Sequence, residues 1–339
     1  MAGSKRVAGP RGNQISRARP PTQGFVPNDM RILVTGGAGY IGSLLVPALL
    51  QRGWQVVVLD TFATGDAFLA TCCADENFEP VRGDARDMTT LAPLLAHADV
   101  IIPLAALVGA PRCARDAIGA VTLNRDAIVD LMRRVSPEQR VVFATTNSGY
   151  GIGAADAYCT EDSPLRPVSL YGRTKVEAEC AVLERGSGIS LRLATVFGMA
   201  PRMRLDLLVN DFTWRAVNDQ AVVLFEAHFR RNFIHVRDVV KAFLHALDNY
   251  ESMQGKPYNV GLSEANLTKL QVCARIARHV PGFVYLEAPI GEDPDKRDYI
   301  VSNARIEATG WRPDQGLDGG IRELVKGYRM LRNGRFANV

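Results

Sequence analysis

The sequence predicts an α/β fold, a doubly wound parallel sheet followed by a smaller C-terminal α/β region. Three observations carry that reading. Ile32-Leu33-Val34 runs straight into a glycine cluster, Gly36 to Gly42, and then into an apolar helical pattern. A second apolar run ends in an acid, Asp60. Short β-branched runs then alternate with helical patterns as far as Leu193.

Each element has a physical reason. Ile32-Leu33-Val34 is a buried strand that stops at Thr35. Gly36, Gly39 and Gly42 let the backbone turn tightly and approach a pyrophosphate, while the helix they open, which starts beside Tyr40 and Ile41, offers free N–H groups to the anion. Leu44, Leu45, Ala48 and Leu49 form the apolar side of that helix, and Pro47 within it removes one hydrogen bond. Gln55–Leu59 is the next strand, and Asp60 lies 18 residues beyond Gly42, against the ~20 expected of a Rossmann-type βαβ unit. A carboxylate there accepts hydrogen bonds from both adenosine ribose hydroxyls and repels a 2′-phosphate, so the expected cofactor is NAD rather than NADP.

Further strands are expected at Phe78–Arg82, Asp99–Ile102, Arg140–Ala144 and Ile189–Leu193, with helices at Met88–Ala96 and Arg125–Arg134 between them. Ligands of such sheets collect at the carboxyl ends of the strands. Those ends carry Asp84 with Ala85, Ala105 with Ala106, Thr145 with Thr146, and Thr195, all small or polar.

Tyr171 and Lys175 are four apart at the start of a helical pattern that runs on through Val176, Ala178, Ala181 and Val182, so they project from one face. A phenol, with its ordinary pKa of about 10, becomes a general base near neutrality when cationic neighbours favour the phenolate. The spacing alone is commonplace. Behind a dinucleotide fingerprint it marks a catalytic pair.

Charge argues against a polyanionic partner. Residues 1–29 hold five of the 40 basic side chains (Lys5, Arg6, Arg11, Arg17, Arg19) and one of the 36 acids, so the whole net charge of +4 sits in this segment. The remaining 35 bases and 35 acids balance, which leaves no basic surface for nucleic acid. The segment is expected to be a disordered basic tail. No apolar run reaches the roughly 20 residues of a membrane span, and the longest candidate is broken by Pro103 and Gly109, so no membrane partner is expected. Six cysteines at 72, 73, 113, 159, 180 and 273 form no CxxC, and the five histidines do not pair at a metal-binding interval. The expectation is buried, reduced thiols in a cytoplasmic protein without a metal.

The ordered set Gly36–Gly42, Asp60, Gly83-Asp84, Ala105-Ala106, Thr145-Thr146-Asn147-Ser148-Gly149-Tyr150-Gly151 and Tyr171-x-x-x-Lys175 resembles the extended short-chain dehydrogenase/reductase family, in its NAD-dependent nucleotide-sugar epimerase/dehydratase branch. Leu191–Gly198, Arg231–Asp238 and Gly310–Pro313 extend the likeness to about Leu331. The resemblance implies an NAD-binding domain over 30–195 and a mainly nucleotide-sugar-binding region over 196–339, some of whose segments return to the first. It implies that Tyr171 takes a proton from a sugar hydroxyl, usually at C4. Lys175 would hold the nicotinamide ribose, and Thr146 would hydrogen-bond the same hydroxyl. Gly36, Gly39, Tyr40, Ile41, Gly42, Asp60, Asp84, Ala85, Ala105 and Ala106 would contact NAD. Thr145, Asn147, Thr195, Asn210, Arg231 and Arg297 would contact the nucleotide-diphosphate sugar. A guanidinium at Arg231 suits phosphate, whose oxygens it binds as a fork. A homodimer is implied through the Tyr171 helix and the helix near Arg125–Arg134.

Two departures bear on the reaction. Where the branch's 4,6-dehydratases place Asp and Glu after the threonine, this chain has Asn147 and Ser148, which cannot serve as the acid and base of a dehydration. UDP-glucuronate decarboxylases usually carry Glu at the place of Ser148. Epimerisation needs only reversible hydride transfer and rotation of a ketone, so it leads. The alternatives are a 4-ketoreductase or dehydratase of the same family and, outside enzymes, an NAD-responsive binding protein. Cys113, in a loop expected near the sugar, is a further acid–base candidate, with an ordinary core thiol as the bland alternative. Arg202 and Arg204 are expected either to enclose the substrate or to sit in a solvated loop.

Overall fold

Seven parallel strands form the central sheet of the computed structural model, in the spatial order Pro257–Val260, Ile189–Leu193, Arg140–Thr146, Val100–Pro103, Arg31–Thr35, Gln55–Asp60, Phe78–Arg82. The structure describes residues 3 and 30–331, apart from 64, 66, 155–156 and 290–296. The reading of 1–29 as a disordered tail therefore falls, Gly3 aside, outside the described residues.

Burial on both faces explains why these strands are nearly continuous apolar runs. Ile32, Val34, Val56 and Val58 pack into one layer with Leu45 and Leu49 of the helix Gly42–Leu50. Leu33, Val57 and Leu59 pack into the other with Leu91 and Leu95 of the helix Met88–Ala96, whose N-cap Asp87 accepts the Thr89 N–H at 2.9 Å. Each fully buried aliphatic side chain contributes roughly 1.5–3 kcal/mol. From Arg31–Thr35 the chain adds strands outward to Phe78–Arg82, then returns to pair Val100 with Ile32 on the opposite side. That reversal opens a crevice above the carboxyl ends of these strands, the place where such sheets bind ligands.

The later part of the chain builds a three-stranded sheet in which Arg230–His235 lies between Thr195–Phe197 and Asn266–Thr268. Two smaller parallel pairs join Ala221–Leu224 to Val284–Glu287 and Tyr158–Cys159 to Ile300–Val301. Pro257–Val260 crosses back to the edge of the main sheet beside Ile189–Leu193. Phe197, Phe233 and Val260 belong to the same apolar layer as Ile32.

Two local expectations change. The helix expected over Arg125–Arg134 starts as a π-helical turn, Thr122–Asp126, and becomes α-helical only over Ala127–Met132. Within the turn the buried Asn124 clamps the backbone of Leu107, accepting from its N–H at 2.7 Å and donating to its carbonyl at 2.8 Å. Of the six free cysteines, Cys73 and Cys180 are exposed rather than buried.

Candidate active site

The glycine turn is shaped by close approach. Gly36 has φ of 72°, and a Cβ there would lie 2.5 Å from the backbone nitrogen of Ala105, so neither a side chain nor an ordinary conformation fits. A Cβ at Gly42 would collide with the Gly37 carbonyl, which lets the helix start directly on the turn. Asp60 faces this turn from the adjacent strand end. Its carboxylate accepts the Ala38 N–H at 2.9 Å and the Phe62 N–H at 2.8 Å. Asp84, one strand further out, is held below the usual carboxylate range by hydrogen bonds from the Arg86 guanidinium.

The chemical end lies on the other side of the crevice. Ser169 caps the helix Leu170–Glu184 by accepting the Gly172 N–H at 3.1 Å, which starts the helix one residue before Tyr171. Thr146 ends its strand and caps the short turn Asn147–Tyr150, accepting the Ser148 N–H at 3.1 Å and donating to the Ser148 hydroxyl at 2.9 Å. Lys175 is buried, with Nζ 4.0 Å from the centre of the Phe143 ring.

Burial also sets the electrostatics. It pushes the Tyr171 phenol above its ordinary value, and the charges that most oppose the rise are the guanidinium groups of Arg204 and Arg297, with a hydrogen bond to Thr146 adding to them. Burial lowers Lys175 to about 7, against a smaller upward pull from Glu179. Arg204 and Arg297 are thus cations near the phenol that the helical spacing of Tyr171 and Lys175 did not point to.

One cleft of about 460 Å³ brings these groups together. Along the sheet edge it is lined in turn by Asp84 with Ala85, by Asp60, by Gly36, Gly39, Tyr40, Ile41 and Gly42, by Ala105 and Ala106, by Thr145 and Thr146 with Tyr171 and Lys175, and by Thr195 and Arg297. Three sequence candidates do not line it. Asn210 is fully buried, and its amide accepts the Gly198 N–H at 3.0 Å and donates to Tyr40 Oη at 3.2 Å and the Arg204 carbonyl at 2.9 Å, so it braces the wall. Asn147 is fully buried beneath the turn and has no side-chain hydrogen-bond partner among the described residues. Arg231 is buried with its guanidinium over the Tyr299 ring, 5.9 Å from its centre, and Tyr299 is the one of the two that lines the cleft.

Cys113 takes the blander of its two readings, that of an ordinary core thiol. It is buried off the cleft, its thiol donates to the Leu107 carbonyl at 3.2 Å, and burial raises it to about 11, which suits a packing role. Arg202 and Arg204 do line the cleft rather than a solvated loop, and Arg204 forms a two-pronged pair with Asp206 at 2.8 and 2.6 Å. Ser148, read from the sequence as standing where relatives carry an acid, lines the cleft, whereas Tyr299 as a lining residue and the contact in which Arg297 donates to Ser148 Oγ were missed. The Arg297 contact joins positions too far apart in the chain to be read from spacing.

A ribose-type acid beside a glycine turn and a Tyr–Lys pair along the same sheet edge define an α/β enzyme that works with a bound dinucleotide. The chain belongs to the NAD dependent epimerase/dehydratase family, whose model matches residues 32–261. Its cofactor is NAD, and the residues present fit it, with Asp60 anchored by two backbone N–H groups at the point where a ribose would meet the turn. The chain is similar to Low-salt glycan biosynthesis protein Agl12 of Haloferax volcanii, at 30% identity over 88% of this chain and 98% of that one. It is 27% identical to UDP-glucuronic acid decarboxylase 1 of Arabidopsis thaliana over 88% of this chain and 70% of the relative. Among solved structures, UDP-glucose 4-epimerase of Thermus thermophilus in complex with NAD matches at 28% identity and a TM-score of 0.75, covering 88% of this chain and 99% of that one. Among the described residues no helix is long and apolar enough to cross a membrane.

Proposed function

We propose that the chain is a nucleotide-sugar epimerase that inverts a hydroxyl-bearing carbon, C4 of the sugar, through a transient ketone. When bound, NAD supplies the acceptor and donor of the hydride. Gly36, Gly39, Gly42 and Asp60 would hold its adenosine diphosphate half, and Lys175 its second ribose. Tyr171 Oη takes the proton of the reacting hydroxyl and gives one back after the ketone has turned, and Thr146 Oγ1 steadies the same oxygen. Arg204 and Arg297 favour the phenolate form during that exchange.

The observation that carries this reading is the set of groups around Thr146. The acids on the cleft wall among the described residues are Asp60 and Asp84, both at the far end of the sheet edge. Next to Thr146 stand Ser148, a hydroxyl bound by Arg297, and Asn147, an amide buried off the cleft. Removing water from the sugar needs a carboxyl group there as acid or base, whereas epimerisation does not. We also propose a homodimer through the Tyr171 helix and the turn and helix at 122–132, which the Arg125–Glu177 ion pair at 3.2 Å already joins within one chain.

The test is NMR of UDP-, GDP-, CDP- and dTDP-linked sugars incubated with the protein and no external reductant. The C4 epimer should accumulate to equilibrium. Stoichiometric consumption of NADH or NADPH would favour a 4-ketoreductase, and a 4-keto-6-deoxy product a dehydratase.

A further inference from the structure

The helix that carries Tyr171 and Lys175 places a third charged residue, Glu179, one turn beyond the lysine. Glu179 is 2% exposed, and its carboxylate is fully engaged. One oxygen accepts Arg192 Nη2 at 2.6 Å and Nε at 2.9 Å, and the other accepts the Ser190 hydroxyl at 2.8 Å. Ser190 and Arg192 are alternate residues of the strand Ile189–Leu193, so both reach the helix from one face of the sheet. The remaining arm of Arg192 donates to Tyr150 Oη at 3.0 Å and to the Glu161 carbonyl at 3.0 Å. Tyr150 ends the turn that Thr146 begins, and it donates in turn to Asn259 Oδ1 at 2.7 Å on the edge strand. A single chain of buried contacts thus ties the tyrosine helix to the turn carrying Thr146.

Stability alone does not account for such a pair. Taking two charges out of water costs several kcal/mol each, and apolar residues of the same volume often do as well or better. We infer that Glu179 and Arg192 are positioning residues for the reaction, fixing Thr146 against Tyr171 and Lys175 and placing a carboxylate one helical turn from the lysine. The inference rests on the proposed roles of those three residues. Among the described residues, the charged and titratable groups that bear on Lys175 are few. From its own helix come Tyr171 and Glu179, and from the helix Ala110–Arg115 comes Cys113. The strand Arg140–Thr146 contributes the Phe143 ring. Glu179 is the one carboxylate in this set, so its loss removes the upward pull that it exerts on the lysine.

The test uses the full-length protein and two variants, Glu179→Gln and the apolar exchange Glu179→Leu with Arg192→Met. The first leaves Arg192 buried and unpaired and is expected to lose stability; if it fails to fold, the second, which removes both charges, carries the test. Thermal unfolding of the exchange should match or exceed that of the parent. Competitive acetylation of Lys175 followed by mass spectrometry across pH gives the titration midpoint of the amine with no sugar substrate present. In the exchange this midpoint should fall by about one unit, the lower end of what an adjacent opposite charge contributes. The kcat should fall roughly 10–100-fold with KM little changed, the cost of a reacting group misplaced by a fraction of an ångström to an ångström. A folded exchange variant with the parent's Lys175 midpoint, or with the parent's kcat, overturns the inference. Because the midpoint is read without substrate, its failure is separable from failure of the epimerase reading.

Discussion

Replacing Lys175 by Met should stabilise the nucleotide-free protein. The side chain is buried, and burial lowers its pKa from 10.5 to about 7. Between those two values the unfolded chain binds a proton that the folded chain does not, so the parent gains stability as pH rises through this window. Below the folded value the lysine must be buried charged, and the full penalty applies. At roughly 1.4 kcal/mol per unit the ceiling of that penalty is about 5 kcal/mol. Loss of the contact between Nζ and the Phe143 ring offsets about 1–2 kcal/mol, leaving a net gain of roughly 3 kcal/mol. Methionine fills a similar volume with an apolar, adaptable chain, so no cavity term enters. Thermal or urea unfolding of nucleotide-free protein at pH 6 should show Lys175→Met several degrees above the parent, with the gap closing by pH 10. A variant no more stable than the parent at pH 6, or a gap independent of pH, would refute the burial argument.

Three further outcomes follow from the site. Tyr171→Phe should keep NAD affinity and lose at least two orders of magnitude in turnover, since the substitution removes only the proposed proton-transfer group; isothermal titration beside the NMR assay separates the two. Asp60→Ala should weaken NAD and narrow its advantage over NADP, because the carboxylate that would repel a 2′-phosphate is gone; competition titration checks this, and unchanged selectivity contradicts the ribose role. Asn210→Ala should lower stability by about 1–3 kcal/mol, because the buried Gly198 N–H and Tyr40 hydroxyl each lose a partner. Substrate KM should move little, and the reverse pattern would restore Asn210 to the substrate.

What the sequence revealed and what it hid divide along a physical line. Ile32–Val34, the glycines and Asp60 were legible because each acts through its own backbone or through a neighbour a fixed number of residues away. Gly36 must be glycine because Ala105 presses on it, and that pressure leaves its trace at position 36 itself. Tyr171 and Lys175 were legible because helical spacing puts them on one face. Arg231 and Asn210 were assigned by their match to family positions, and such a match does not tell whether a side chain reaches the cleft or is taken up by Tyr299 or Tyr40. The partner of Arg297 was hidden for the opposite reason, since Ser148 meets it only through the packing of two distant segments.

Arg192 shows where a stricter sequence argument would have gone further. It stands inside Ile-Ser-Leu-Arg-Leu, a strand expected to be buried on both faces, and a guanidinium in such a place requires a carboxylate. The same accounting applies to Glu179 in the otherwise apolar and small-residue pattern around Ala178 and Val182. Two charges, each costly alone, on consecutive elements that must pack together are best explained by each other. Periodicity reads where the core is, but the charges that break it read where two elements are held in register. In this chain the register held is that of the lysine helix against the sheet edge on which the chemistry is proposed to occur.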